Sequence, residues 1–284
     1  MSPDGHILRR LNDRVQAWRV LIDETFETAS SIIAYGRRDV DSVVLKLVKH
    51  RGDEWDAGVV LSAFGGRGMV RVHEFTGGAM LLERLRPGHS LADLSNHGRD
   101  VEATGALASV IGAMQPNAEV RRFPTVEEWG SAFARHAASA GGSLSPHLVS
   151  QAEQVYARLA STQTRRRLLH GDLQHFNVLF DKDRGWVGID PKGVVGELEF
   201  EVGAALRNPC DRPDIFADPA VIGCRVARYT ARLSLDADRV LGWAFAQAVL
   251  SAIWAIEDGI TDPATHSSVQ LALAVAPMLN GVLD

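Results

Sequence analysis

The sequence predicts an α+β fold of two lobes: a small antiparallel β lobe with one inserted helix over residues 1–85, and a larger, mainly α-helical lobe over residues 86–284. Three observations carry this. β-rich segments dominate the first 85 positions, Pro87-Gly88 interrupts them, and most later periodic segments repeat their apolar residues at steps of three and four.

Taken in order, Ile7 to Ile22 places Leu8, Leu11, Val15, Trp18, Leu21 and Ile22 on one helical face. Phe26–Tyr35 and Val43–Val48 are rich in β-branched and aromatic residues and read as strands around a turn at Arg37–Asp41. Trp55–Phe64 reads as a helix that Gly65-Gly66-Arg67-Gly68 ends, so that glycine run is a C-cap and turn and not a phosphate loop. Met69–Phe75 and Ala79–Leu85 are two further strands around Gly77-Gly78. Beyond Pro87, helices are predicted at Asp100–Met114, after a Thr125/Glu128 capping box, and at Val149–Leu159, Val221–Leu233, Asp238–Glu257 and Ser268–Leu279, the last kinked or ended by Pro277. Val178–Phe180 and Trp186–Ile189 are short strands around the turn Asp181–Gly185.

Composition excludes several classes. The formal charge of −5 and the lack of a basic cluster interleaved with aromatics argue against a nucleic-acid partner. Cys210 and Cys224 form no Cys-x-x-Cys pair, so a zinc or redox motif is not expected, and isolated cysteines fit a reducing cytoplasm, where they behave as small apolar residues. The N-terminal residues lack the apolar core of a signal peptide, and the most apolar stretch, Trp243–Ile256, is too short to span a bilayer and suits a buried helix. The expectation is a cytoplasmic protein with a small-molecule partner, and with no membrane, nucleic-acid or protein partner.

Leu168–Gly193 carries the chemistry. Asp172, Asn177 five positions on, and Asp190 after a strand–turn–strand match the spacing of the catalytic loop and metal loop of protein kinases. In such sites the first Asp takes the proton of the attacking hydroxyl, and the Asn and second Asp hold Mg²⁺ against the phosphates of ATP. The bland alternative makes Asp172 an N-cap, Asn177 a turn residue and Asp190 a strand terminator. Lys46, alone in the apolar strand Val43–Val48, resembles the kinase lysine that holds the α- and β-phosphates. Its acidic partner is expected on the inserted helix; Glu54 is the candidate, and it serves equally as an acid of a helix's first turn. No complete Gly-x-Gly-x-x-Gly exists in the first lobe, so the phosphates are expected under Thr28–Ser31, with Ser30 and Ser31 contributing hydroxyls and backbone N–H groups. Gly171 stands where protein kinases carry an Arg, and no Ala-Pro-Glu segment follows Asp190. The acceptor is therefore expected to be a small hydroxylated molecule and not a peptide.

These residues resemble the aminoglycoside phosphotransferase superfamily, and more narrowly its streptomycin 6-phosphotransferase and hydroxyurea phosphotransferase family. The resemblance runs through Val44–Lys46, Ala63–Gly68, Leu81–Leu85, His170–Asn177, Ile189–Gly193, Leu206–Pro209 and Gln247–Gly259. It implies a protein kinase-like fold binding ATP and Mg²⁺, with Lys46 on the phosphates, the backbone at Glu83, Arg84 and Leu85 on adenine, Asp172 as base, and Asn177 and Asp190 on the metal. It also implies an acceptor against the C-terminal helices, with Glu257 and Asp258 as candidate contacts and Lys192 as a further one; a helix end before Gly259 accounts for the two acids equally well. His170 and Glu201 are expected to support the catalytic loop. Two departures stand out: the family's helix Glu is missing near Gly58 and Val59, and Phe200-Glu201 replaces the usual Phe-Asp. The reading is an O-phosphotransferase for an aminoglycoside of the streptomycin type. Its alternatives are a kinase for hydroxyurea or another metabolite, and a nucleotide-binding pseudokinase.

Overall fold

The computed structural model describes residues 3–117, 122–139, 143–259, 262 and 266–279. The chain forms two compact units, Met1–His89 with Ala113–Ala118 and Leu179–Lys192, and Ser90–Gly112 with Glu119–Val178 and Gly193–Asp284.

The first unit begins with α1 (Pro3–Ala17), followed by β1 (Leu21–Glu27), β2 (Ser31–Arg38), β3 (Asp41–Val48), α2 (Ala57–Phe64), β4 (Val72–Thr76) and β5 (Ala79–Glu83). The five strands make one antiparallel sheet in the order β1-β2-β3-β5-β4. The two-residue period of a strand divides its faces. Ile32, Ala34, Val43, Leu45, Leu47 and Leu81 turn into a core that Leu11 of α1 covers, so Ile33, Tyr35, Val44 and Lys46 stand on the other face.

Two boundaries differ from the sequence expectation. The first helix stops at Ala17, because Arg19 takes a left-handed conformation (φ 54°) and Leu21 and Ile22 enter β1, pairing with Arg37 and Gly36. Two apolar neighbours satisfy a helical stripe or a strand end equally well, and sheet pairing decides. The single strand expected at Phe26–Tyr35 is a hairpin: the Thr28 N–H donates to Ser31 O (2.8 Å) and the Ser31 N–H to Thr28 Oγ1 (3.0 Å), reversing the chain. At α2 the glycine run acts as expected, with Gly65 left-handed (φ 57°) and its N–H on Leu61 O.

β6 (Pro87–Ser90), unforeseen in the sequence, joins β8 (Val178–Asp181) and β9 (Gly185–Gly188) in a three-stranded sheet. The hairpin at 179–192 was expected among residues 86–284. It packs instead in the first unit, where the Val70 N–H donates to Gly188 O and the Gly188 N–H to Gly68 O, both at 2.8 Å.

The second unit is helical: α3 (Ala92–Asn96), α4 (Asp100–Ala113), α5 (Val126–Ala138), α6 (Pro146–Ser161), α7 (Leu198–Leu206), α8 (Pro213–Phe216), α9 (Pro219–Leu233), α10 (Ala237–Glu257) and α11 (Ser267–Val275), with a 3₁₀ turn at Ala276–Met278 that contains Pro277. The predicted capping box is formed, the Glu128 N–H donating to Thr125 Oγ1 and the Thr125 N–H to the Glu128 carboxylate. α10 is the one helix among the described residues long and apolar enough to cross a membrane, yet most of it is buried as the central helix of this unit. Trp129, Phe133, Tyr156, Phe200, Trp243 and Trp254 interlock edge to face around it. β7 (Arg167–Leu169) and β10 (Val194–Gly196) pair antiparallel. The sequence reading missed α3, α7, α8 and β10. Cys210 and Cys224 are free and both exposed.

Candidate active site

In the first unit the pocket-side face of the sheet opens on a cavity of about 560 Å³, a size suited to a nucleotide-sized ligand. Ile33, Tyr35, Val44 and Leu82 give it apolar walls, residues Glu83–Gly88, with the charged Glu83, Arg84 and Arg86, form one edge, and Lys46 and Asp190 also line it. Lys46 arrives there by strand parity. It lies between Ile33 of β2 and Met80 of β5, and only 5% of it is exposed.

Two carboxylates hold the Lys46 ammonium: Asp190 Oδ1 at 2.7 Å and Glu54 Oε2 at 2.8 Å. Burial alone would pull the ammonium down, but the two carboxylates outweigh it and hold Lys46 above its ordinary value, so it stays charged. Glu54 is the acid that the missing helix Glu had left in question. It stands in the turn before α2 and not on the helix, where the hydroxyls of Ser30 (3.0 Å) and Ser31 (3.3 Å) donate to its two oxygens. The same hydroxyls and Lys46 hold its carboxyl below the usual range against the effect of burial. Ser30 and Ser31, expected on phosphates, thus spend their hydroxyls on Glu54. Glu54→Gln keeps the shape and removes the charge. It is expected to raise KM for ATP and lower kcat, by about 10²-fold in kcat/KM, as a displaced Lys46 costs alignment; steady-state kinetics with varied ATP checks this.

Asp190 follows β9 with φ 57°, a left-handed conformation that a non-glycine residue adopts at some cost. Lys192 lies 3.7 Å from the exposed Asp53. In the segment expected at the adenine edge, Glu83 accepts from the Arg71 N–H (2.7 Å) and from Arg184, and the Arg84 guanidinium lies 4.1 Å over the Tyr35 ring of the same cavity.

In the second unit, the loop expected to be catalytic runs from His170 at the end of β7 to a 3₁₀ turn at His175–Asn177. Glu201 of α7 fixes its start, accepting from the backbone N–H groups of His170 (2.7 Å) and Gly171 (3.1 Å). The extra methylene of Glu over Asp therefore still reaches the loop. Gly171 is required on two grounds: its φ is +84°, and a Cβ there would lie 2.8 Å from Trp129. The arginine of protein kinases is excluded by the same facts. The Asp172 N–H donates to His170 Nδ1 (3.2 Å), and Asn177 Nδ2 donates to Asp172 O (2.8 Å) and Oδ2 (3.5 Å). Arg207, beyond α7, approaches Asp172 Oδ1 at 3.5 Å. His175 is fully buried with both ring nitrogens unpartnered, and burial pushes it down to about 3, so it stays neutral.

Burial pushes the Glu201 carboxyl up to about 7, with the N–H groups of His170, Gly171 and Leu173 pulling the other way. The folded carboxyl then keeps its proton to higher pH than the unfolded one at 4.5, so its contribution to stability is full below about 4.5 and is lost as pH rises towards about 7. Denaturant titrations across pH 5–7 should show a falling component in the parent that Glu201→Gln lacks. Equal slopes in both chains would contradict the shift.

Glu257 ends α10, bound by Arg135 of α5 at 3.2 and 3.3 Å, and Asp258 caps the helix with its N–H on Trp254 O (2.9 Å). Trp254 stacks edge-on against Trp129 (5.3 Å), the ring that lies against Gly171, so the end of α10 is two side chains from the catalytic loop. The sequence reading missed Arg207 as a contact of Asp172, along with the contact of Trp129 with Trp254; Arg207 fell inside a stretch noted only for its resemblance, and Trp254 inside a helix read as buried.

Residues 17–259 match the family described as aminoglycoside/hydroxyurea antibiotic resistance kinase. The chain belongs to that family. This kinase is a phosphotransferase with an alcohol group of a small molecule as acceptor and ATP as donor. Among its relatives are streptomycin 6-kinase of Streptomyces griseus, 32% identical over 87% of this chain and 81% of that protein, and streptomycin 3''-kinase of Klebsiella pneumoniae, 31% identical over 95% of this chain and all of that one. Hydroxyurea phosphotransferase of Kitasatospora aureofaciens is 32% identical over 78% of this chain and 65% of that protein. Two solved structures share the fold of the kinase: a thermostable mutant of an aminoglycoside phosphotransferase with ADP and hygromycin B (TM-score 0.66, 17% identity, 93% of this chain and 97% of that one), and choline kinase from Streptococcus pneumoniae (TM-score 0.66, 12% identity, 95% and 98%).

Proposed function

We propose that this kinase transfers the γ-phosphoryl group of MgATP to a hydroxyl of a streptomycin-type aminoglycoside in the cytoplasm. The observation that carries the donor half is the Lys46–Glu54–Asp190 cluster in a nucleotide-sized cavity. With its lysine paired, the kinase has no reason to be a nucleotide-binding relic, and the pseudokinase alternative loses its motive.

Lys46 holds the phosphates, and the backbone at Glu83–Leu85 takes the adenine edge. The donor set fits a hard cation. Asn177 uses its Nδ2 on Asp172, which leaves the side-chain carbonyl, and Asp190 has a second carboxylate oxygen besides the one on Lys46. Among the described residues no cluster of three or more His, Cys, Asp or Glu forms a metal cage, and Mg²⁺ needs none, since it takes one or two protein ligands with phosphate oxygens and water. Asn177 and Asp190 would hold Mg²⁺, which when bound neutralises phosphate charge. Asp172 orients the acceptor hydroxyl and takes its proton. Glu201 and His170 keep the loop in shape.

The acceptor half rests on the two streptomycin kinases among the relatives. Streptomycin carries two guanidinium groups, which carboxylates bind in paired hydrogen bonds; Asp258 and Glu257, the latter by exchanging its bond to Arg135, are their proposed partners, and Lys192 is a weaker candidate contact. The hydroxyurea phosphotransferase relative supports a second reading with hydroxyurea as acceptor. Coupled ADP release over streptomycin, other aminoglycosides and hydroxyurea decides between them. Acceptor-dependent release with streptomycin supports the first reading, and release with hydroxyurea alone replaces it.

A further inference from the structure

We propose that Arg207 is a positioning residue that orients the Asp172 carboxylate, and that the buried Arg225 seats it; this rests on the assignment of Asp172 as the base. Each oxygen of Asp172 has one side-chain donor. Arg207 Nη2 lies 3.5 Å from Oδ1, and Asn177 Nδ2 lies 3.5 Å from Oδ2. Two donors on opposite oxygens fix the plane of a carboxylate, where one would leave it free to rotate about its last bond. Both contacts are long, so their effect is on direction more than on binding.

Arg207 has little freedom of its own. It is the C-cap residue of α7, where the negative end of the helix dipole favours a cation, and its side chain is 15% exposed. Arg225 of α9, 1% exposed, donates through Nη1 to the carbonyls of Ala205 (3.4 Å), Leu206 (3.4 Å) and Asn208 (2.7 Å), which lie on both sides of residue 207. Its other nitrogens are held by Asp100, with Nε 2.9 Å from Oδ2, and Ser95 in turn holds Asp100 at 2.9 Å. The segment that carries Arg207 is thus pinned by an ion pair that does not itself touch Asp172.

One helix therefore grips the catalytic loop twice. Glu201 takes the backbone N–H groups just before Asp172, and Arg207, six residues later at the C-cap of α7, takes the side chain of Asp172. A rise of about 1.5 Å per residue separates the two grips by about 9 Å along the axis. The α7 helix sets the loop's backbone and its functional carboxylate in one rigid frame. Loss of the second grip leaves the loop in place and frees the carboxylate.

The test compares Arg207→Gln, Arg207→Lys and Arg207→Ala with Asp172→Asn, using MgATP and whichever acceptor of the panel above the parent turns over fastest. Arg207→Gln should lower kcat by about 10²-fold with KM for ATP unchanged and the same melting temperature. Arg207→Lys should recover part of the loss, since it restores charge without the planar fork. Guanidinium ion should raise the rate of Arg207→Ala and leave the parent unaffected, a response that a purely structural role would not give. An Arg207→Gln enzyme with parental kcat overturns the proposal, as does a loss that follows unfolding and answers to neither lysine nor guanidinium. If Asp172→Asn is inactive while Arg207→Gln is normal, only the role of Arg207 falls. If Asp172→Asn is itself active, the assignment of the base falls and this proposal with it.

Discussion

Asp172→Asn is expected to cut acceptor phosphorylation by about 10³-fold while the chain stays folded. The two side chains have the same shape, and the loop around position 172 is held by groups the change does not touch. Glu201 keeps the N–H groups of His170 and Gly171, and Asn177 keeps its bond to the backbone O of residue 172. What disappears is a group able to accept the proton of the attacking hydroxyl and to orient it through a full negative charge. Arg207 loses its counter-ion, but Asp172 is about a quarter exposed, so water takes part of that charge. The melting temperature should move by no more than a few degrees. Rate and melting curve measured on one preparation separate this outcome from simple unfolding.

The largest effect on stability is expected at Arg225. Its guanidinium is buried, ion-paired to Asp100 and bonded to three backbone carbonyls at the end of α7. Burial alone would raise the Asp100 carboxyl, and Arg225 overrides it and holds the carboxyl below the usual range. Arg225→Met leaves that carboxylate without its partner, for which a cost of about 3–5 kcal/mol is expected. Replacing both partners, Asp100→Leu with Arg225→Met, should recover a substantial part, because the pair's desolvation is then no longer imposed. Chemical denaturation of parent, single and double variants checks this. A double variant no more stable than the single one would mean that the carbonyl contacts, and not the ion pair, carry the effect.

Much of the fold and of the candidate site's geometry was legible, for physical reasons that differ residue by residue. Lys46 stood out because a charge inside an apolar strand demands a partner. The Asp172–Asn177 spacing stood out because a short loop must place both groups locally. Glu54 was named only as a candidate, since its position comes from an irregular turn pinned by two serines of another hairpin, and nothing in its own segment encodes that. Helix α7 escaped notice because Phe200–Leu206 are buried all round, which leaves no apolar stripe to repeat. Its close packing on α10 also needs Gly203, where a Cβ would lie 1.9 Å from the Gln247 side chain, and glycine in a sequence argues against a helix. The Asp100–Arg225 pair joins residues 125 apart, a distance over which periodicity carries no information.

The central claim is that Lys46 and Asp172 serve one phosphoryl transfer to a small-molecule hydroxyl. Single-turnover transfer from γ-labelled ATP to streptomycin, with the product identified by mass spectrometry, tests it most directly. The account expects one phosphate on one streptomycin hydroxyl with the parent chain, and transfer lost in both Lys46→Ala and Asp172→Asn. Label released only as inorganic phosphate, or streptomycin phosphorylated equally well by either variant, would contradict it.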